Sequence, residues 1–261
     1  MRSLSIAATG MLAQQLNVEV ISNNIANLNT TAFKSQRAEF QDLLYQNERN
    51  VGVNSSDTGT IVPVGVQIGI GIKTAAVYRI TTQGNLLQTS NPLDLAIQGR
   101  GFFQILQPDG TTAYTRAGSF QLSPTGEIVT ADGFVVQPGI TIPQNTIAIA
   151  VNSSGQVQAQ VAGQVQPQTV GQLQLANFPN EAGLEALVNN LFLETPAAGL
   201  ATTGNPGSIG FGTLNKGLLE TANVDIVTEI TNLITAQRAY EMNSKVIQTS
   251  DQMLTSLNQI Q

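Results

Sequence analysis

Four carboxylates in the middle of the chain, Asp94, Asp109, Glu127 and Asp132, are of the type that could do chemistry. Two such groups at close range, one protonated and one ionised, hydrolyse glycosidic bonds. Their sequence context points elsewhere. Asp109 and Asp132 stand directly before Gly110 and Gly133, in Pro-Asp-Gly and Ala-Asp-Gly sequences where Asp is expected for turn geometry. Phe102, Phe103, Tyr114 and Phe120 have the rings of a sugar platform, yet they fall at the spacing of strand residues in a core. In "GVQIGIGIKT" (65 to 74) Ile72 separates Gly71 from Lys73, so the Gly-Lys-Ser/Thr junction of a phosphate loop is missing. These glycines read as permitting close backbone approach between neighbouring chains. The chain has no His and no Cys, which removes imidazole and thiolate metal sites, Cys nucleophiles and Ser-His triads. No catalytic residue, no metal site and no cofactor is expected, and the chain does not read as an enzyme.

The composition narrows the partners. Charged residues make up 11% of the 261 residues, against roughly 25% in ordinary soluble proteins, so neutral polar groups must wet the surface. With a net charge of -6 and no Lys/Arg cluster, the chain lacks the basic field that holds phosphates, and nucleic acid is not an expected partner. No apolar run approaches the roughly 18 residues of a spanning helix, so no membrane insertion is expected. The first residues, "MRSLSIAATGMLAQQ", are interrupted by Ser3, Ser5, Thr9 and Gly10 and continue as a helix instead of a cleaved signal peptide.

Two helical ends frame the chain. Apolar residues recur at Leu4, Ala7, Met11, Val18, Ile21, Ile25 and Leu28, in steps of three and four with Gln14 as the one polar member. The far end repeats the step at Ile226, Ile230, Leu233, Tyr240, Ile247 and Leu254, interrupted by Gln237, Ser244 and Asp251, with Asn223 as the expected N-cap. Each stripe is a narrow seam suited to another helix, so the ends must pair with each other, with other copies, or with both. Between them, short β-branched or aromatic runs alternate with Pro-Asp-Gly, Ser-Pro-Thr-Gly and Ala-Asp-Gly turns, and Ser154-Gly155 signals a hairpin. The expected fold is mixed α and β with a discontinuous topology. Residues 1–30 and 222–261 form a coiled-coil-like helical base, 31–95 and 191–221 form extended connecting segments, and 96–190 form an antiparallel β head. Asn23, Asn24, Asn27 and Asn29 mark where the first helix stops, and their amides are structural.

Four stretches, "NNIANLNTTAFK" (23–34), "DLAIQGRGFFQI" (94–105), "AYTRAGSFQLSPTGEIVTADGFVVQP" (113–138) and "QRAYEMNSKVIQTSDQML" (237–254), together resemble the flagellar basal-body rod and hook proteins. The residues that carry the motifs are Asn23, Asn24, Asn27, Phe33 and Lys34, then Gly99, Gly101, Phe102 and Phe103. Chain length, a single head and an insertion at 46 to 65 look like the distal-rod branch, in which such a segment is associated with a stiff rod. One position departs from the family. Ala32 stands before Phe33 where Gly is usual, and Ala resists a positive φ.

The resemblance implies a structural subunit that self-assembles into a rigid tubular helical filament, transmits torque to the hook and encloses the export channel. It implies periplasm-spanning placement in the basal body after type III export without a cleaved signal. The implied partners are further copies of the chain, other rod proteins and the hook protein as axial neighbours, and bushing-ring proteins of the outer membrane and peptidoglycan. Residues 1–33 carry only Arg2 and Glu19 as charges, which suits a channel wall that does not hold passing chains. Two other readings share the same pattern: a proximal rod or hook subunit, and a surface adhesin module with helical oligomerisation ends. Seams at both termini favour assembly, since an adhesin needs one stalk.

Overall fold

The structure, a computed structural model, describes residues 2–49, 64–164 and 166–260. Most of the insertion at 46 to 65 lies outside the described residues. The fold is mixed α and β, with a helix near each end and a mostly antiparallel β body. The chain divides into two compact units. One comprises the described residues of Met1–Ile25, Gln36–Tyr78 and Asp225–Gln261, the other those of Ala26–Ser35 and Arg79–Val224.

In the first unit, helix α1 (Arg2–Ala26) has 25 residues and helix α2 (Ile226–Ile260) has 35, so at 1.5 Å per residue they extend about 37 and about 52 Å. Neither contains Pro. Asp225 caps α2: its carboxylate accepts from Val227 N at 3.0 Å and from Thr228 Oγ1 at 3.0 Å. Those bonds to the first helical turn hold the Asp225 carboxyl below its ordinary range. The expected cap, Asn223, is occupied elsewhere.

The buried residues of α1 are Ala7, Ala13, Val20, Ile21 and Asn24. On α2, Ala236 and Ser250 are buried. Small residues thus dominate where helix meets helix. A Cβ on Gly10 would come 2.8 Å from Asn243 Nδ2, and Ser250 Oγ lies 3.3 Å from Ser3 Oγ. On another side of α1, Gly71 (φ +133°) is so close that a Cβ there would sit 2.3 Å from Thr9 Oγ1. The close approach within the chain at this glycine is to the chain's own helix. Beside the helices, Gln36–Asp42 pairs with Ile72–Arg79, and Tyr45–Arg49 pairs with Val66–Gly69.

The second unit holds the β body. Phe102–Leu106 is central to its largest sheet, flanked by Thr112–Thr115, Val135–Val136 and Leu175–Asn177. The turns fall where Gly signals them: Gly110, Gly126, Gly133 and Gly155 all have positive φ. Phe103 and Phe120 meet edge to face at 5.0 Å inside a core with Ile105, Ile128, Val136 and Leu175. Phe102, Tyr114, Phe178 and Phe192 form a second cluster of edge-on rings. All four rings considered for a sugar platform are core, as their strand spacing indicates.

Candidate assembly site

In a chain of so few charges, an ion cluster sealed from water marks the place to look. Glu220, at the end of strand Leu218–Glu220, has a fully buried side chain between two cations. Lys34 Nζ reaches Glu220 Oε1 at 2.6 Å and the Thr82 carbonyl at 2.7 Å. Arg116 Nε reaches Glu220 Oε2 at 3.0 Å, and its other nitrogens donate to the Gly99 and Gly101 carbonyls at 2.9 and 3.0 Å. Gly84 N adds a donor to Glu220 Oε1 at 3.0 Å. Burial alone would push the Glu220 carboxyl up, but Arg116, Lys34 and the Gly84 N–H together hold it below its ordinary range. Lys34 is also held below its usual value: burial lowers it, and attraction to Glu220 makes up only part of that loss.

This cluster joins residues of three of the motif stretches. Lys34 comes from 23–34, Gly99 and Gly101 from 94–105, and Arg116 from 113–138. Arg116 and Glu220 were not singled out in the sequence. The signal was there: each is a lone charge among apolar and small residues, in "AYTRAG" and "LLETAN", where an ion must find a partner once the segment is buried.

Ala32 N donates to the Glu220 carbonyl at 2.8 Å and Phe33 N to the Thr30 carbonyl at 3.2 Å. These bonds hold the turn, and Ala32 adopts φ +57° although it is not Gly. The Cβ opposes that geometry, and the surrounding hydrogen bonds and burial impose it.

Amides tie the remaining segments. Asn24 is buried at the end of α1 and acts toward the strand after it as a backbone would: Gln36 N donates to its Oδ1 at 2.8 Å, and its Nδ2 donates to the Gln36 carbonyl at 2.9 Å and to Glu229 Oε1 at 3.1 Å. Thr30 N and Oγ1 bond Asn27 in the turn that ends the helix, while Asn23 is exposed. Asn223 Oδ1 accepts from Ser35 N at 2.7 Å, and its Nδ2 donates to the Ile80 carbonyl at 2.8 Å. Joining two strand-end segments is why it does not cap α2.

Along α1, Ala7 and Ile21 are buried, Leu4, Met11, Val18 and Ile25 are partly covered, and Leu28 lies past the helix end in the turn. Along α2, Leu233, Ile247 and Leu254 are partly covered, whereas Ile226, Ile230 and Tyr240 are exposed. The four carboxylates nominated for hydrolysis serve turns and loops instead. Asp94 accepts from Asn91, Asp109 from Thr111, Glu127 from Thr125 and Asp132 from Asn189.

A chain with an ion-locked return, bonded amides and an uncovered helix face has the features of a subunit built to be packed. Three family profiles agree: residues 4–34 match the flagella basal body rod protein family, 96–159 the flagellar hook protein FlgE/F/G D1 domain, and 215–260 the flagellar basal body rod FlgEFG protein C-terminal family. Over 260 residues, all of this chain and 99% of the relative, it is 63% identical to the flagellar basal-body rod protein FlgG of Caulobacter vibrioides. It is 53% identical over 253 residues, 97% of each chain, to FlgG of Agrobacterium fabrum, and 50% identical over 258 residues, 99% of each, to FlgG of Buchnera aphidicola subsp. Acyrthosiphon pisum. The chain belongs to the flagellar basal-body rod protein family. It is a structural subunit of the basal body and not an enzyme, and it assembles with other rod and hook proteins. No helix among the described residues is long and apolar enough to cross a membrane.

Proposed function

We propose that the chain is the distal-rod subunit, polymerising with copies of itself into a rigid tubular filament that carries torque to the hook and encloses the export channel. The observation that carries this reading is the uncovered apolar face of α2. Ile226, Ile230, Ile234 and Tyr240, which share one side of the helix, are each 42–45% exposed, an arrangement that is unfavourable in water and favourable once a neighbouring helix covers it.

Three parts divide the labour. Residues 1–30 and 222–261 form the coiled-coil-like base around the channel, 31–95 and 191–221 connect it to the head, and 96–190 form the head that faces outward. This makes the topology discontinuous. Contacts between Ser3 and Ser250, Gly10 and Asn243, and Asn24 and Glu229 support the helical base. In each pair the two residue numbers add to the same value, as expected of antiparallel helices held in one register. The seam residues are then shared: Ala7 and Ile21 serve within the chain, and Ile226, Ile230 and Tyr240 serve between copies.

The rod crosses the periplasm, the subunits arrive by flagellar type III export without signal cleavage, and the heads meet bushing-ring proteins of the outer membrane and peptidoglycan. Electron microscopy of concentrated protein tests the assembly. The native chain is expected to give straight tubes. Ile230→Asp and Tyr240→Asp are expected to give dispersed particles with unchanged melting, because the charge lands at a site that is solvated in the monomer and dry in the polymer. Tubes from both variants would remove α2 from the interface.

A further inference from the structure

Beside the ion cluster, within the β-body unit, lies a cleft of about 540 Å³ lined by Arg79, Arg100, Arg116, Thr82 and Glu181 among others. Lys34 borders an adjoining hollow with Arg79 and Arg116. Its charges do not balance. Arg116 and Lys34 share Glu220, and Arg100 pairs with Glu181 at 3.2 Å. Arg79 is half-buried, donates to the Leu184 carbonyl and lies over the Phe192 ring at 4.8 Å, yet meets no carboxylate among the described residues. Burial alone lowers its affinity for a proton. Four cations thus face two carboxylates.

We infer that the cleft receives an Asp or Glu side chain from a second copy of this chain, held between Arg79 and Arg100. A guanidinium fork matches a carboxylate in two parallel bonds, and a half-buried fork without an anion is the costly arrangement such a ligand relieves. The charge of the whole chain selects the occupant. Its 11 cations stand against 17 acids, and four of the cations are gathered here, so the rest of the surface is strongly acidic. A second copy therefore brings carboxylates in excess to this site. The inference rests on the self-assembly proposed above.

The test uses the full chain. Arg100 has a side chain 62% exposed but holds Glu181, so melting is measured beside Arg100→Glu, and Arg100→Gln, which sets no like charge against Glu181, should melt nearly as the native chain does. In Arg100→Glu the concentration at which sedimentable polymer appears should rise by about tenfold or more. It should rise with NaCl for the native chain and respond less to NaCl in Arg100→Gln. A photo-crosslinking residue in place of Gln83 should capture an Asp- or Glu-bearing peptide of another copy. Arg79→Gln is the second variant, with melting measured beside it. Unchanged polymerisation and salt response in the Arg100 variants would overturn the cleft's role and leave self-assembly intact. A native chain that stays monomeric would overturn the assembly reading, and the cleft's occupant with it. Binding of inorganic phosphate by the monomer, lost in Arg100→Glu with no change in polymerisation, would assign the cleft to a small oxyanion and overturn the inference.

Discussion

At the scale of single residues, the molecule concentrates its cost and its specificity on Glu220. Removing one member of a buried ion group leaves the others charged and dry, a loss of about 3–5 kcal/mol. Glu220→Gln is therefore expected to lower the stability of the β-body unit by that order at neutral pH, read by urea unfolding. The sign with pH follows from the depressed carboxyl. Its ordinary value is 4.5 and its folded value is lower, so its contribution is complete above 4.5 and disappears as pH falls through the folded value. The gap between native and Glu220→Gln protein should close in that acid range. A gap that stays constant into strong acid would show that Glu220 contributes by shape instead of charge. In the sequence only its lone charge in "LLETAN" marked this residue; its partners could not be read there, because pairing across the fold has no local period.

At the scale of elements, the helices were legible and their faces only partly so. The three-and-four step located both, and the turn signals located the strands, since both depend on neighbours in sequence. The stripe covered inside the chain departs from the expected one toward small and polar positions, Gly10 on α1 and Ala236, Asn243 and Ser250 on α2. A pattern of large apolar residues cannot reveal this, because close helix contact selects for the absence of side chains. Gly10 makes the point testable. An exposed helical Gly→Ala change gains about 1 kcal/mol. Gly10→Ala is expected to lose about 1–3 kcal/mol instead, through overpacking against Asn243. The double change Gly10→Ala with Asn243→Ala should recover much of it. Gain from Gly10→Ala alone, measured by thermal melting, would mean the helices do not meet there.

At the scale of the whole molecule, the sequence identified the class because its motifs run in order along nearly the whole chain, and the comparisons bear that out over its full length. In the tube proposed above, residues 1–33 with their two charges belong to this scale too, since a channel wall is a property of the assembly. Gln15 is exposed and bonds Glu19 at 3.1 Å. In chains that still assemble, Gln15→Lys should slow passage of later subunits, followed as hook growth per unit time, and undiminished growth would rule out a need for a neutral wall.

The bond between Lys34 and Glu220 spans 186 positions, and that between Asn24 and Glu229 spans 205. For a chain threaded N-terminus first, both contacts must wait for the second member of each pair to clear the exit. On the export route proposed above, the clasp would work as a clock: the early motif would cross while its partner is still in transit, and the native fold would close only near the end of the journey.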